Sequence, residues 1–132
     1  MALYLVMTHA SQTVLVVEDE ALIRMSTAVA LEDAGFHVLE ARNSAEALEI
    51  LALYDDIATV VTDVRMPGGM DGLCLVAQIR REYPSVHTLV VSGNTAANDA
   101  FAAGAEAFIG KPYEPVGVVE TVQRFGCRSR AA

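Results

Sequence analysis

The stretch Ala58-Thr59-Val60-Val61-Thr62-Asp63 is an apolar run, rich in β-branched residues, that ends in a carboxylate. Such a run is typical of a strand buried on both faces of a parallel sheet. A carboxylate at the carboxyl end of a buried strand lies where open parallel sheets place their functional groups. Asp63 is therefore the first candidate for a chemical role. The loop Val64-Arg65-Met66-Pro67-Gly68-Gly69 follows it directly.

The rest of the chain repeats this pattern, with helical periodicity between short apolar runs, which predicts successive βα units and a parallel sheet. Between the first two strands, Leu22, Met25 and Val29 fall on one face of a helix. After the fourth strand, residues 93–104 leave room for only a short, small-faced helix. The candidate strands are Thr13 to Val17, His37 to Glu40, Ala58 to Thr62, His87 to Ser92 and Ala107 to Ile109.

The length of 132 residues fits one domain with one hydrophobic core. The hydrophobic fraction of 53%, mostly Ala, Val and Leu, favours buried strands covered by small-residue helices, which is an α/β architecture. We expect an extension at residues 1–12, the domain at residues 13–126 and a short tail at residues 127–132. We expect no effector domain after the last helix.

The net charge of -8 argues against direct binding to nucleic acid or to an anionic membrane, because both repel an acidic surface. The apolar start, residues 1–7, is too short to span a membrane and lacks the basic residues of a signal peptide. Cys74 and Cys127 have neither a metal-ligand spacing nor the number needed for a disulfide framework. These features predict a cytoplasmic protein.

Polar residues follow four of the predicted strands. Because right-handed βα crossovers point all strands in one direction, we expect these residues to meet at one edge of the sheet. Crowded carboxylates either raise their pKa or bind a divalent cation, and oxygen ligands favour Mg²⁺, with Mn²⁺ as the second candidate. The residues are Glu18, Asp19 and Glu20 after the first strand, Asp63 after the third, Ser92 after the fourth and Lys111 after the fifth.

A cation, a carboxylate, a hydroxyl and a lysine together supply what phosphoryl transfer to an aspartate needs. Each residue also has a plainer interpretation when taken alone. Glu18 and Glu20 would be solvated loop acids, Ser92 would cap a helix, and Lys111 would be a surface charge. Their predicted convergence on one edge favours the chemical interpretation.

The chain also resembles the receiver domain of bacterial two-component response regulators, of the single-domain kind used in chemotaxis. The resemblance extends from Thr13 to Phe125 and implies a doubly wound, flavodoxin-like (βα)5 fold with strand order 2-1-3-4-5, from which the short fourth helix predicted above is a departure. The motifs that carry it are Val14-Leu15-Val16-Val17-Glu18-Asp19-Glu20, Thr62-Asp63-Val64-Arg65-Met66-Pro67-Gly68, Met70-Asp71-Gly72, Val90-Val91-Ser92-Gly93 and Gly110-Lys111-Pro112-Tyr113.

The resemblance implies a role for each matched residue. Asp63 would accept a phosphoryl group from a phosphohistidine of a sensor kinase or phosphotransfer protein. Mg²⁺ would be held by Glu18, Asp19, Asp63 and the backbone carbonyl of Arg65. Ser92 and Lys111 would contact phosphoryl oxygens, Phe108 would report the movement of the Ser92 hydroxyl, and Lys111-Pro112 would be a cis peptide.

The chain departs from the common family pattern in several places. Gly69 is an extra residue in the loop after Asp63, and Glu18 replaces the more frequent aspartate. Arg65 and Asn94 lie two residues after Asp63 and Ser92, and the resemblance implies that these positions would flank the path of the hydrolytic water, so we expect them to tune dephosphorylation. The alternative for Arg65 is a side chain that simply faces solvent.

The resemblance also implies a readout surface made of the fourth helix, the fifth strand and the fifth helix. Phosphorylation would switch this surface toward a downstream protein target, in a monomer or a phosphorylation-dependent homodimer. Phe101 would either add to this apolar surface or turn into the core, and we favour the core. Two other functions remain open: a protein-binding module that works without phosphorylation, and a phosphatase with an aspartyl-phosphate intermediate.

Overall fold

The computed structural model describes residues 12–66, 68–93, 95 and 97–127. Strands and helices alternate along the chain, as the sequence predicts. Within the described ranges, no helix is both long enough and apolar enough to cross a membrane. The elements are β1 (Thr13–Val17), α1 (Ala21–Asp33), β2 (His37–Ala41), α2 (Ser44–Leu53), β3 (Ile57–Asp63), α3 (Gly72–Glu82), β4 (His87–Ser92), α4 (Ala97–Ala103), β5 (Ala107–Gly110) and α5 (Pro115–Cys127).

The five strands form one parallel sheet in the order β2-β1-β3-β4-β5. The fold class and the strand order are therefore confirmed. Asp63 pairs with Val91, and Ser92 pairs with Gly110, so the carboxyl ends of β3, β4 and β5 are nearly level. This register brings the predicted site residues to a common edge.

Alternate residues of β1 pack on opposite faces of the sheet. Val14 and Val16 belong to a cluster that includes Val122 of α5, whereas Leu15 and Val17 belong to a cluster that includes Leu75 of α3. Because a strand side chain changes face at every residue, an uninterrupted apolar strand supplies both layers of the core. Helices α1 and α5 cover one face, and α2, α3 and α4 cover the other.

The apolar face of α1 points away from the core. Leu22, Met25 and Val29 are 81%, 53% and 53% exposed, although such a face normally packs on a core. Thr27 and Ala28 are buried instead, together with Leu31. Leu31 packs in the core cluster, and the short Thr27 and Ala28 fill the rest of the inward side, while Leu22, Met25 and Val29 stay on the outer surface.

The short fourth helix is confirmed, but the prediction that Phe101 lies in the core is wrong. Helix α4 has seven residues, and Phe101 is 48% exposed. The neighbouring Ala100 is fully buried and packs with Val76 and Val90. Because consecutive helix residues point about 100° apart, the buried Ala100 turns Phe101 outward.

Candidate functional site

Asp63 is the last residue of β3, and its buried carboxylate is held on both oxygens. Oδ1 accepts a hydrogen bond from the Val64 amide at 2.7 Å, and Oδ2 accepts one from Lys111 Nζ at 2.8 Å. Bonds to an ionised acceptor are stronger and more directional than neutral ones. Asp63 therefore has a fixed orientation at the end of the strand.

Gly72 packs directly against the backbone of Asp63. Its amide donates to the Val64 carbonyl at 2.9 Å, and a Cβ atom at this position would overlap the Asp63 carbonyl. Asp71, one residue earlier, caps α3 by accepting a hydrogen bond from the Cys74 amide. The sequence includes Gly72 in a motif, but only the structure shows why the position excludes a side chain.

Glu18 and Lys111 form the second part of the site. Lys111 Nζ donates to Glu18 Oε1 at 3.2 Å as well as to Asp63, so one ammonium bridges two carboxylates. The other Glu18 oxygen, Oε2, accepts from the Glu20 amide at 3.1 Å.

The surroundings of the site shift the pKa values of Glu18 and Lys111. Burial, together with repulsion from Asp63, raises the pKa of Glu18 against the lowering effect of the Glu20 amide and Lys111. Burial acts to lower the pKa of Lys111, but its bonds to Asp63 and Glu18 raise that pKa overall. The surroundings therefore favour the charged form of Lys111 and disfavour the charged form of Glu18.

Asp19 completes an acidic cluster at the mouth of the site. One carboxylate oxygen from each of Glu18, Asp19 and Asp63 lies within 4.8 Å of the others. Glu18 and Asp63 are buried, whereas Asp19 is exposed. An all-oxygen set with this spacing fits a hard divalent cation such as Mg²⁺.

A cleft of about 290 Å³ opens above the carboxylates. Ser92 is buried at the end of β4, and its Oγ accepts a hydrogen bond from the Thr95 amide at 3.2 Å. This bond closes a turn after β4, ahead of α4, so it does not make Ser92 the cap of a helix. The lining residues are Asp19, Glu20, Asp63, Arg65, Ser92, Gly93 and Lys111.

The remaining predicted residues are placed as follows. Arg65 is exposed at the rim of the cleft. Phe108 is partly buried beside Val90, where it packs on the cluster that contains Ala100. The Lys111-Pro112 peptide is cis, as the resemblance implies. Asn94 lies outside the described residues, and so do most of the predicted extension and tail.

Two features near the site have no counterpart in the sequence analysis. Arg24 of α1 donates to the backbone carbonyl of Glu18 at 2.9 Å and to Glu40 at 3.0 Å. The Tyr113 hydroxyl lies 2.9 Å from Thr27 Oγ1, and burial raises the pKa of Tyr113. The sequence did carry a signal for Arg24, which is the single arginine among the apolar residues of the first turns of α1. A cation that is largely covered needs a partner, so its position predicts a polar contact.

A larger, mainly apolar cavity of about 550 Å³ lies next to the acidic cleft. It is formed between α1 and the loop after β5, and Lys111 lines both spaces. Its lining residues are Leu22, Ile23, Ser26, Thr27, Lys111, Pro112, Tyr113 and Pro115. The exposed apolar face of α1 therefore continues into the rim of the acidic site.

The chain belongs to the response regulator receiver domain family, which it matches over residues 14–123. Receiver domains are signalling domains of two-component systems that interact with histidine kinases and bind Mg²⁺ at an acidic pocket. They are generally not enzymes.

Relatives with different architectures share this domain. The sequence is 40% identical over 119 residues to the sensor kinase CckA of Brucella abortus. This alignment covers 86% of this chain and 12% of that protein. It is 35% identical over 112 residues to the DNA-binding transcriptional regulator NtrC of Escherichia coli, covering 83% of this chain and 24% of that protein. The chain thus spans less than a quarter of these two curated relatives.

Solved structures agree with the fold. The chemotaxis response regulator CheY4 of Vibrio cholerae superposes with a TM-score of 0.79 at 29% identity, covering 86% of this chain and 98% of that chain. A response regulator receiver protein from Pseudomonas putida superposes with a TM-score of 0.79 at 32% identity, covering 86% of this chain and 96% of that one.

Proposed function

We propose that Asp63 accepts a phosphoryl group from a phosphohistidine of a sensor kinase or phosphotransfer protein. The observation that carries the proposal is the Lys111 ammonium, which bridges Asp63 and Glu18 on the floor of an open cleft. A partly buried lysine beside a strand-end carboxylate supplies positive charge where a phosphoryl group would gain negative charge.

The transfer forms one bond and breaks another. A carboxylate oxygen of Asp63 attacks phosphorus, the phosphorus–nitrogen bond breaks, and the imidazole nitrogen keeps the electron pair. Glu18, Asp19 and Asp63, with the backbone carbonyl of Arg65, are the proposed ligands of Mg²⁺, which neutralises phosphoryl charge when bound. Lys111 remains protonated throughout, because its raised pKa opposes proton loss.

The donor protein has an apolar surface on which to dock. Leu22 and Met25 are exposed on α1, and Leu22 and Pro112 line the cavity that adjoins the cleft. A donor protein whose histidine approaches Asp63 from the α1 side would cover this rim at the same time. We therefore assign the α1 face to the phosphoryl donor.

Readout is proposed at the surface formed by α4, β5 and α5. Val90 of β4 pairs with Phe108 of β5, and Ser92 pairs with Gly110 two residues further along. A shift of the Ser92 hydroxyl would therefore change the space beside Phe108. Phe101 of α4 and Val116 of α5 are exposed on the helices of this surface. Phosphorylation would change its affinity for a downstream protein target.

Incubation with acetyl phosphate and Mg²⁺ tests the chemistry without a protein donor. Intact-mass measurement should show one added phosphoryl group in the parent and in Asp33→Asn, a control at an exposed acid at the end of α1. Asp63→Asn should stay unmodified. A parent without the added group, or an Asp63→Asn protein that still gains it, would contradict the assignment.

A second candidate is a binding module that works without phosphorylation, and the exposure of Phe101 and Val116 in the unmodified chain favours it. The two functions differ in one measurable quantity. A phosphorylation switch binds its target with different affinity before and after modification, whereas the module binds equally in both states. Titration of the target with modified and unmodified protein separates them.

Arg65 and Asn94 are the proposed tuners of the phosphoryl lifetime. Arg65 lines the cleft from its rim, where a guanidinium would meet an approaching water. We expect Arg65→Ala to change the rate of phosphoryl loss while leaving the extent of phosphorylation intact. Decay followed by mass measurement checks this, and an unchanged decay rate would restrict Arg65 to a solvent-facing role.

A further inference from the structure

We infer that Arg24 is a positioning residue that orients Glu18 toward the acidic cleft. Its guanidinium donates through one terminal nitrogen to the Glu18 carbonyl at 2.9 Å and through Nε to Glu40 at 3.0 Å. The Arg24 side chain is only 14% exposed; its bond to the Glu18 carbonyl is partly buried, whereas its bond to Glu40 is exposed. A rigid guanidinium serves two acceptors in fixed directions, which an ammonium does not.

The contacts fix the backbone of Glu18 from two sides. Its amide donates to the Ala41 carbonyl at the end of β2 at 3.0 Å, and its carbonyl accepts from Arg24 of α1. With both backbone groups bonded, the peptide planes on either side of Glu18 are held, and so is the direction of its side chain. The carboxylate then faces Lys111 and Asp63.

The ion pair with Glu40 does not account for the placement of Arg24. The Glu40 side chain is 41% exposed, and pairs at this exposure contribute little to stability. The other bond of Arg24, to the Glu18 carbonyl, is the one that contacts a proposed metal ligand. Glu40→Gln therefore removes the ion pair and keeps the contact that matters here.

Charge and position have opposite effects on a bound divalent cation. The positive charge of Arg24 repels a cation at the acidic cluster, so its loss would tighten binding if charge alone counted. Loss of the Glu18 orientation would weaken binding, as loss of a residue that orients a metal ligand usually does. The inference is that orientation dominates, and it rests on the proposed Mg²⁺ site.

Calorimetric titration of metal-free protein with Mg²⁺ measures whether the loss of Arg24 weakens or tightens the binding of the cation. Arg24→Ala should bind Mg²⁺ about tenfold more weakly than the parent. Arg24→Lys keeps the charge but loses the two-way contact, and should bind about threefold more weakly. Glu40→Gln should stay within about twofold of the parent. Equal or tighter binding by both Arg24 variants would overturn the inference.

A second measurement needs no metal. The Glu20 amide donates to Glu18 Oε2, so its hydrogen exchange reports how well the Glu18 carboxylate is held. Exchange should accelerate in Arg24→Ala and Arg24→Lys relative to Glu40→Gln. Unchanged exchange in both Arg24 variants contradicts the positioning role. A parent that fails to bind Mg²⁺ contradicts the proposed metal site instead, and the exchange data still decide the role of Arg24.

Discussion

The amino edge of the sheet, where the strands begin, and the carboxyl edge, where they end, both carry partly buried contacts between acidic and basic side chains, but the balance of charge differs between them. At the amino edge, His87 Nδ1 lies 2.9 and 3.1 Å from the two oxygens of Glu106, and its ring stacks on Phe125 at 5.0 Å. At the carboxyl edge, Lys111 alone bridges Glu18 and Asp63, and Asp19 adds a third carboxylate.

The difference separates a structural contact from a functional one. The contact between His87 and Glu106 joins a base to an acid beside the Phe125 ring, and we interpret it as a contact that stabilises the fold. At the carboxyl edge three acids surround one lysine, and burial, together with repulsion from Asp63, raises the pKa of Glu18. We interpret this uncompensated negative charge as a binding property, because it costs stability that only a cation restores.

The largest expected effect comes from filling the close contact behind Asp63. Gly72→Ala forces a Cβ onto the Asp63 carbonyl and should lower the free energy of unfolding by about 3 kcal/mol, at the upper end for overpacking. Gly69→Ala is the matched control, because a Cβ at Gly69 meets nothing within 4 Å. Urea denaturation of both variants measures the contrast. Equal stability of the two would refute the close-contact argument.

The next effect concerns the donor surface. Leu22→Ser should slow phosphorylation by a protein donor about tenfold, because it removes an apolar anchor near the cleft. Phosphorylation by acetyl phosphate should not change. Leu53 of α2 is the control, since it is 78% exposed against 81% for Leu22 and does not line the cavity. Similar slowing by Leu53→Ser would remove the special role of the α1 face.

A smaller effect is the pH dependence caused by Glu18. Its pKa is raised above the ordinary value of 4.5, so the folded state holds this proton more tightly than the unfolded state. The contribution of Glu18 to stability therefore falls as pH rises through its raised pKa. Subtracting the stability–pH curve of Glu18→Gln from that of the metal-free parent isolates this slope. A difference curve that is flat above pH 4.5 would exclude it.

Much of this arrangement was predictable from the sequence. The apolar run ending in Asp63 gave a buried central strand, and the βα alternation gave a parallel sheet whose carboxyl ends meet. Glu18, Asp19, Ser92 and Lys111 follow from the same rule, because topology alone brings them together. Their bond lengths and the sharing of Lys111 needed the structure.

The outward faces of α1 and α4 were the harder part. Periodicity shows that Leu22, Met25 and Val29 share a face, but it does not say which face touches the sheet. In both helices a small residue, Ala28 or Ala100, is buried. Short side chains such as those of Ala28 and Ala100 give a weak hydrophobic signal in the sequence. The sequence therefore favours the larger Phe101 beside Ala100 as the core residue, although Ala100 is the buried one.

One measurement tests the contrast between the edges most directly: the free energy of unfolding of Glu18→Gln and Glu106→Gln at neutral pH without divalent cations. The same chemical change should have opposite signs at the two edges. Glu18→Gln should stabilise the protein by about 1 kcal/mol, as relief at a functional site does. Glu106→Gln should destabilise it by about 1 kcal/mol, through a weakened hydrogen bond to His87. Destabilisation by Glu18→Gln equal to that of Glu106→Gln would contradict the claim that the carboxyl edge carries uncompensated charge.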